Sequence, residues 1–261
     1  MELIDIGLNL MHKSYDRDRQ EVIKNAKDVG VIQSIITGSS IKSSKLACEY
    51  TKNYPGVLYS TCGVHPHDAK TCNDNTISIL RNLAKHDNVV AIGECGLDYN
   101  RNFSPQDIQC EWFEKQLMLA EELDMPVFLH DRESYKDFSM ILKKYPNVAK
   151  RSVVHCFTGT KDEVEAYLSL GCFIGVTGWI CDERRNDQLY EAIKVIPPKK
   201  LMIETDGPFL TPRDLKVKPR KNRNEPKFLP HILDRIALEM NVSSEKLSNQ
   251  VTKNTKEFFS I

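Results

Sequence analysis

What most constrains this chain is a rhythm of eight short apolar runs. They are Leu3–Leu8, Val31–Thr37, Val57–Val64, Val89–Gly93, Pro126–His130, Ser152–His155, Cys172–Val176 and Leu201–Glu204. Longer amphipathic segments lie between them. Strands buried on both faces carry continuous apolar stretches instead of an in–out alternation. Val89-Val90-Ala91-Ile92 and Ser34-Ile35-Ile36 have that character. Buried strands alternating with helices specify an α/β fold with a parallel sheet. Eight of them predict a TIM-type (β/α)8 barrel, although an open doubly wound sheet carries the same local signals. No Pro/Ser-rich linker or compositional shift interrupts the series, so residues 1–261 read as a single domain.

Three helices are explicit. The span from Ser104 to Asp124 has Ser104 as its cap and Pro105 in its first turn, with Ile108, Trp112, Leu119 and Leu123 near one face. Asp16–Asp28 buries Val22, Ala26 and Val29 and stops at Gly30. Lys161–Leu170 is ended by Gly171. The segment before Val89 has the weakest helical pattern.

Lys+Arg and Asp+Glu number 36 each, which excludes a histone-like polycation and an acidic disordered tail. Nucleic acid stays open as a partner, because binding needs a local basic patch and not a global excess. The eight cysteines contain no C-x-x-C pair, so neither a disulfide framework nor a cysteine-based structural zinc is expected. The opening Met-Glu-Leu-Ile-Asp-Ile has no basic-then-apolar leader pattern, and no run approaches the ~18 apolar residues of a membrane span. A cytoplasmic protein with reduced thiols is the expectation.

The polar residues at the ends of the apolar runs carry the chemistry. Glu94 follows Gly93, His130 ends the fifth run, His155 ends the sixth, and Asp206 lies two residues past Glu204. In a parallel barrel these ends share one rim, so four residues distant in sequence would converge. Two imidazoles and two carboxylates suit Mg²⁺, Mn²⁺ or Zn²⁺. A lone His after an apolar run is more often a packed core histidine. Four such groups on a strand series are harder to explain that way, since buried charge needs a partner or a metal.

Taken in order, Val90-Ala91-Ile92-Gly93-Glu94-Cys95-Gly96-Leu97-Asp98, Pro126-Val127-Phe128-Leu129-His130, His155-Cys156-Phe157-Thr158-Gly159 and Ile203-Glu204-Thr205-Asp206 resemble the TatD family of metal-dependent deoxyribonucleases. Gly63-Val64-His65-Pro66-His67, Gly178-Trp179-Ile180-Cys181-Asp182-Glu183-Arg184-Arg185 and Arg223-Asn224-Glu225-Pro226 fit as well. The resemblance implies an amidohydrolase-type TIM barrel and hydrolysis of DNA, often as a 3′–5′ exonuclease on single strands. It implies Glu94, His130, His155 and Asp206 as metal ligands, His65 lining the site and Glu204 behind it. Many relatives place a His-x-His pair on the first strand; here Gly7 and Asn9 stand in that place. One ion, or a second completed by substrate phosphate, is therefore expected, with Mg²⁺ first among candidates. Asp131 stands where the family commonly has Cys, and Gly207 where it has Ala.

Asp206 is expected to accept a proton from the attacking water, with Glu94 as its catalytic companion. Residues 211–228 hold seven basic side chains against Asp214 and Glu225, and Lys218, Arg220 and Arg223 are candidate phosphate contacts. Arg132 is another, and Trp179, followed by Arg184 and Arg185, is a candidate base-stacking residue. Cys95 and Cys156 read as barrel packing. His67 is a possible rim residue, whereas His12, His86 and His231 read as structural or solvent-exposed. Single-stranded DNA or RNA is the expected partner. Hydrolysis of a small cyclic amide, of an aminoacyl-tRNA ester, and non-catalytic nucleic-acid binding are the competing functions.

Overall fold

The computed structural model describes Met1–Arg184 and Asp187–Ile261. Its strands are β1 (Leu3–Leu8), β2 (Val31–Ile36), β3 (Leu58–Cys62), β4 (Val89–Asp98), β5 (Val127–Arg132), β6 (Ser152–Val154), β7 (Phe173–Val176) and β8 (Leu201–Ile203). They form one sheet in chain order, from β1 to β8. Consecutive strands lie side by side because the segments between them, mostly helical, return the chain to start the next parallel strand.

The chain divides into two compact units. The first comprises Met1–Ile36, Cys156–Leu168 and Ile174–Ile261, and the second Thr37–His155 and Ser169–Phe173. In the first, the end of β8 meets the end of β1. The Asp206 amide donates to the Gly7 carbonyl and the Asn9 amide to the Gly207 carbonyl, each at 2.8 Å. Leu3, Ile4, Ile6, Ile174, Leu201 and Met202 form its buried strand core. In the second unit, Ala91, Ile92, Val127, Phe128, Leu129 and Val153 are buried, and Phe113 stacks on Phe138 with ring centroids 5.0 Å apart. Truncating Phe128, which has no exposed surface, would cost ~3–5 kcal/mol.

Glycine makes one strand pair possible. Gly93 has φ +127°, and a Cβ there would lie 2.3 Å from the Phe128 carbonyl oxygen. A Cβ on Gly96 would lie 1.9 Å from the His130 carbonyl oxygen. The β4–β5 register slips between Gly93 and Cys95, so Glu94 is an extra residue on β4. Such a bulge re-aims a side chain.

Several boundaries differ from expectation. The long helix is Gln106–Leu123, with Pro105 at its N-cap position and no side-chain cap. The Ser104 hydroxyl is used elsewhere, donating to the His67 carbonyl at 2.8 Å and accepting from the Lys70 amide at 3.1 Å. The first helix begins only at Arg19, after a 3₁₀ turn over Lys13–Tyr15, and Val29 lies beyond its end and is exposed. The weakly patterned segment before Val89 does form a helix, Thr76–Leu83. β4 runs five residues past Gly93, so Glu94 lies within the strand.

Candidate metal centre

The second unit gathers six polar side chains at the ends of β3, β4, β5 and β6. Glu94 Oε1 lies 2.8 Å from His155 Nε2, 2.9 Å from His130 Nδ1 and 3.3 Å from His65 Nε2. Three imidazole nitrogens thus converge on one carboxylate oxygen. Asp98 Oδ2 is 2.6 Å from His67 Nε2 and 3.5 Å from His130 Nε2.

Local structure explains each position. His65 ends the β3 segment and starts a 3₁₀ turn, its Nδ1 accepting from the His67 amide at 3.0 Å. That bond fixes the tautomer and leaves Nε2 aimed at the centre. Gln116 holds the preceding residue, its side chain bonding both the Val64 amide and carbonyl. His155 stacks on Phe128 with centroids 4.4 Å apart. The bulge delivers Glu94.

The electrostatics are those of a buried anion in a cage of imidazoles. Burial alone would raise the Glu94 carboxyl, but His65, His155 and His130 outweigh it and hold the group well below the usual carboxylate range. Burial also opposes ionisation of Asp98, yet the hydrogen bonds to His130 and His67 bring it down. His65 is pushed down, chiefly by burial. His130 is raised, because Asp98 and Glu94 override the cost of burying its cation.

A divalent ion fits this donor set. His130 Nε2 is buried, and its nearest acceptor is Asp98 Oδ2 at a long 3.5 Å. His65, Glu94 and His130 each bring a ring nitrogen or carboxylate oxygen within 4.8 Å of the others, His65 Nε2 being the proton-bearing nitrogen that faces Glu94. A 6%-exposed carboxylate facing three nitrogens needs positive charge, and a hard or borderline cation supplies it.

The first unit holds the remaining expected residues. The Asn9 side-chain amide donates to Asp206 Oδ1 at 2.8 Å. Glu204 is fully buried, and its Oε1 accepts from the Cys156 amide at 2.5 Å. Glu204 therefore fixes the backbone at Cys156, the residue that follows His155. Cys156 and Asp206 both adopt left-handed backbone conformations, with φ +47° and +53°. Strained positions of this kind cluster where side chains must be aimed.

Other expected contacts sort differently. Lys218 and Arg220 are exposed, as a phosphate track requires. Arg223 is not available for that role. It donates to both oxygens of Asp18 at 2.8 and 2.7 Å and to Glu225 at 2.8 Å, and it lies over the Tyr15 ring. Trp179 is half-buried within the 3₁₀ turn Gly178–Cys181, and Arg185 lies outside the described residues. Arg132 ends β5, its Nε 3.9 Å from Glu133. Asp131 accepts from the Ser134 hydroxyl at 2.5 Å and amide at 3.3 Å, a turn-forming role.

Two residues of the centre were missed in sequence. Asp98 ends β4 four positions after Glu94, beyond the bulge and Gly96, where the alternation of faces is interrupted. Phe103 is 54% exposed and meets the His67 ring edge-on at 4.7 Å. Only its place just after the β4 motif could have marked it.

The family model described as TatD related DNase matches residues 4–260. The chain belongs to the TatD family. It is thus a hydrolase of nucleic-acid phosphodiester bonds with a TIM-type (β/α)8 fold. It is 47% identical over 257 residues to a protein of Pantoea sp. (strain At-9b) named 3′-5′ ssDNA/RNA exonuclease TatD, covering 98% of this chain and 99% of that one. A protein of the same name from Erwinia tasmaniensis is 46% identical over 259 residues, covering 99% and 100%. Among solved structures, the TatD homolog YJJV from Escherichia coli K12 superposes with a TM-score of 0.90 at 25% identity, covering 99% and 98%. A TatD family hydrolase from Entamoeba histolytica gives 0.87 at 28%, with the same coverage. Among the described residues, no helix is long and apolar enough to cross a membrane.

Proposed function

We propose that this chain is a metal-dependent 3′–5′ exonuclease acting on single-stranded DNA, and on RNA, with Glu94, His130, His155 and Asp206 as its metal ligands. The observation that carries the assignment is the convergence of three imidazole nitrogens on Glu94 Oε1 at 2.8–3.3 Å. Mg²⁺ is the proposed resident ion, with Mn²⁺ or Zn²⁺ as substitutes, one tightly held or two. The family match over residues 4–260 supports reading 1–261 as one hydrolase domain. The free thiols of all eight cysteines fit a cytoplasmic enzyme.

When bound, the cation supplies Lewis acidity toward the scissile phosphate and the attacking water. The side chains do the rest. Asp206, oriented by the Asn9 amide, takes the proton from the water. Asp98 orients His130, as an outer carboxylate does for a ligating imidazole. Glu204 secures the turn after His155 through the Cys156 amide. Phe103 offers an exposed ring on which an unpaired base can stack, a contact worth ~1–3 kcal/mol. Lys218 and Arg220 neutralise the trailing backbone, with Arg132 and Trp179 as further substrate contacts.

Turnover of 5′-labelled and 3′-labelled oligonucleotides by EDTA-treated protein, with each metal added back, tests the proposal. A 5′-labelled ladder that shortens stepwise from the 3′ end only when metal is restored is expected. Full activity without metal, or hydrolysis of a cyclic amide in place of DNA, would contradict it.

A further inference from the structure

The sequence offers no cysteine pair for a metal, yet the fold assembles a mixed site from single residues. Cys181 closes the 3₁₀ turn Gly178–Cys181 and is 2% exposed. Asp214 lies in the basic segment after β8. His231 lies in the helix Leu229–Glu239, just past that segment. A sulfur, a carboxylate oxygen and an imidazole nitrogen from these three residues lie within 4.8 Å of one another. All three residues belong to the first unit.

We propose that Cys181, Asp214 and His231 form a second cation site, selective for a borderline-soft ion of the zinc class and distinct from the hydrolytic centre. The donor chemistry supports the selectivity. One thiolate, one imidazole and one carboxylate suit Zn²⁺ or Co²⁺, whereas Mg²⁺ avoids sulfur. The geometry is close. Zinc bonds of ~2.0–2.3 Å in a tetrahedron put donors roughly 3.3–3.8 Å apart, so the sulfur contacts need to shorten by up to about 1.5 Å and the His231–Asp214 contact to open by about 0.7 Å. His231 Nε2 and Asp214 Oδ1 are already 2.6 Å apart, as an ion-pair contact that a cation would replace. The His231 and Asp214 side chains are 36% and 26% exposed, which leaves a fourth position open to water.

Proton balance follows from the surroundings. Burial and the neighbouring Asp214 carboxylate push the Cys181 thiol up, so it is an S–H hydrogen-bonded to Asp214. Entry of the cation expels that proton, as it does for any thiol ligand. Arg235 also faces the thiol, but its guanidinium is turned to Glu239 at 3.0 Å and to the Tyr190 hydroxyl. Arg213 and Arg184 are drawn to Asp182, at 3.7 and 2.7 Å. The cation would tie Asp214 to His231 across 17 residues of chain and so anchor both ends of the basic segment that holds Lys218 and Arg220.

Cobalt separates this site from the hydrolytic centre, which has no sulfur. Full-length protein, metal-stripped and reduced, is titrated with Co²⁺ in excess Mg²⁺. One equivalent should bind with a near-ultraviolet sulfur-to-cobalt charge-transfer band, and Zn²⁺ but not Mg²⁺ should abolish it. Cys181→Ser should lose the band. His231→Ala, a half-exposed helix position, should weaken Co²⁺ binding at least tenfold while its Mg²⁺-supported DNA hydrolysis stays within twofold of wild type. Absence of the band in wild type at saturating Co²⁺, or its persistence in both variants, overturns the proposal.

Discussion

The Asn9 side-chain amide donates to Asp206 Oδ1 at 2.8 Å. The first strand thus acts on the end of the eighth through an amide that orients a carboxylate, where relatives bearing a His-x-His pair would offer imidazole nitrogens. Asn9→Ala removes the orienting bond and leaves the strand core intact. Loss of such an outer partner typically costs 10–100-fold in metal affinity or activity. Turnover measured across a Mg²⁺ titration should show that loss, with unchanged thermal stability. An unaltered Mg²⁺ dependence would remove Asn9 from the centre.

Asp5 carries a pH dependence of stability. Its carboxyl is fully buried, and burial pushes it up to about 7 against hydrogen bonds from the Thr205 hydroxyl and amide. The unfolded group titrates near ~3.9. Between these values the folded state holds a proton that the unfolded chain releases. This contribution to stability is therefore complete below about pH 4 and is lost as pH rises towards 7, with a slope approaching ~1.4 kcal/mol per pH unit. Urea midpoints of wild type should fall between pH 5 and 7 relative to those of Asp5→Asn. Parallel profiles would contradict the assignment.

Arg223 is expected to act on stability and not on substrate. Its guanidinium holds Asp18, Glu225 and the Ser14 carbonyl together over Tyr15. Arg223→Ala should cost about 1–3 kcal/mol by urea denaturation. Arg223→Lys should recover only part of it, because an ammonium cannot make the paired contact with Asp18. A stable Arg223→Ala protein with weakened DNA binding would reverse this division of roles.

Lys218 and Arg220 should do the opposite. Replacing both with Glu should leave stability unchanged, raise the apparent Kd for single-stranded DNA, and flatten its salt dependence. Each lost phosphate contact lowers the log–log slope by ~0.7. An unchanged slope would mean the segment does not follow the backbone.

The sequence made the architecture legible because each strand of a parallel sheet is a continuous apolar run and needs no partner to be recognised. Glu94, His130 and His155 were legible as polar residues where such runs end. Asp98 was not, because β4 continues past Gly93, and a strand interrupted by two glycines and a bulge has no clean period. Arg223 looked like one cation in a basic run. Its ion pair reaches Asp18, 205 residues away, which no local pattern encodes. Ser104 looked like a helix cap, but Pro105 took that position and the hydroxyl went to the His67 turn. The Cys181–Asp214–His231 grouping is likewise a product of the fold alone.

The central claim is that Glu94, His130 and His155 grip a divalent cation. Anomalous diffraction from a crystal soaked in manganese tests it most directly. The account predicts a peak within about 2.3 Å of the Glu94 carboxylate and of nitrogens from His130 and His155. A crystal of active enzyme with no anomalous peak among these three side chains would contradict it.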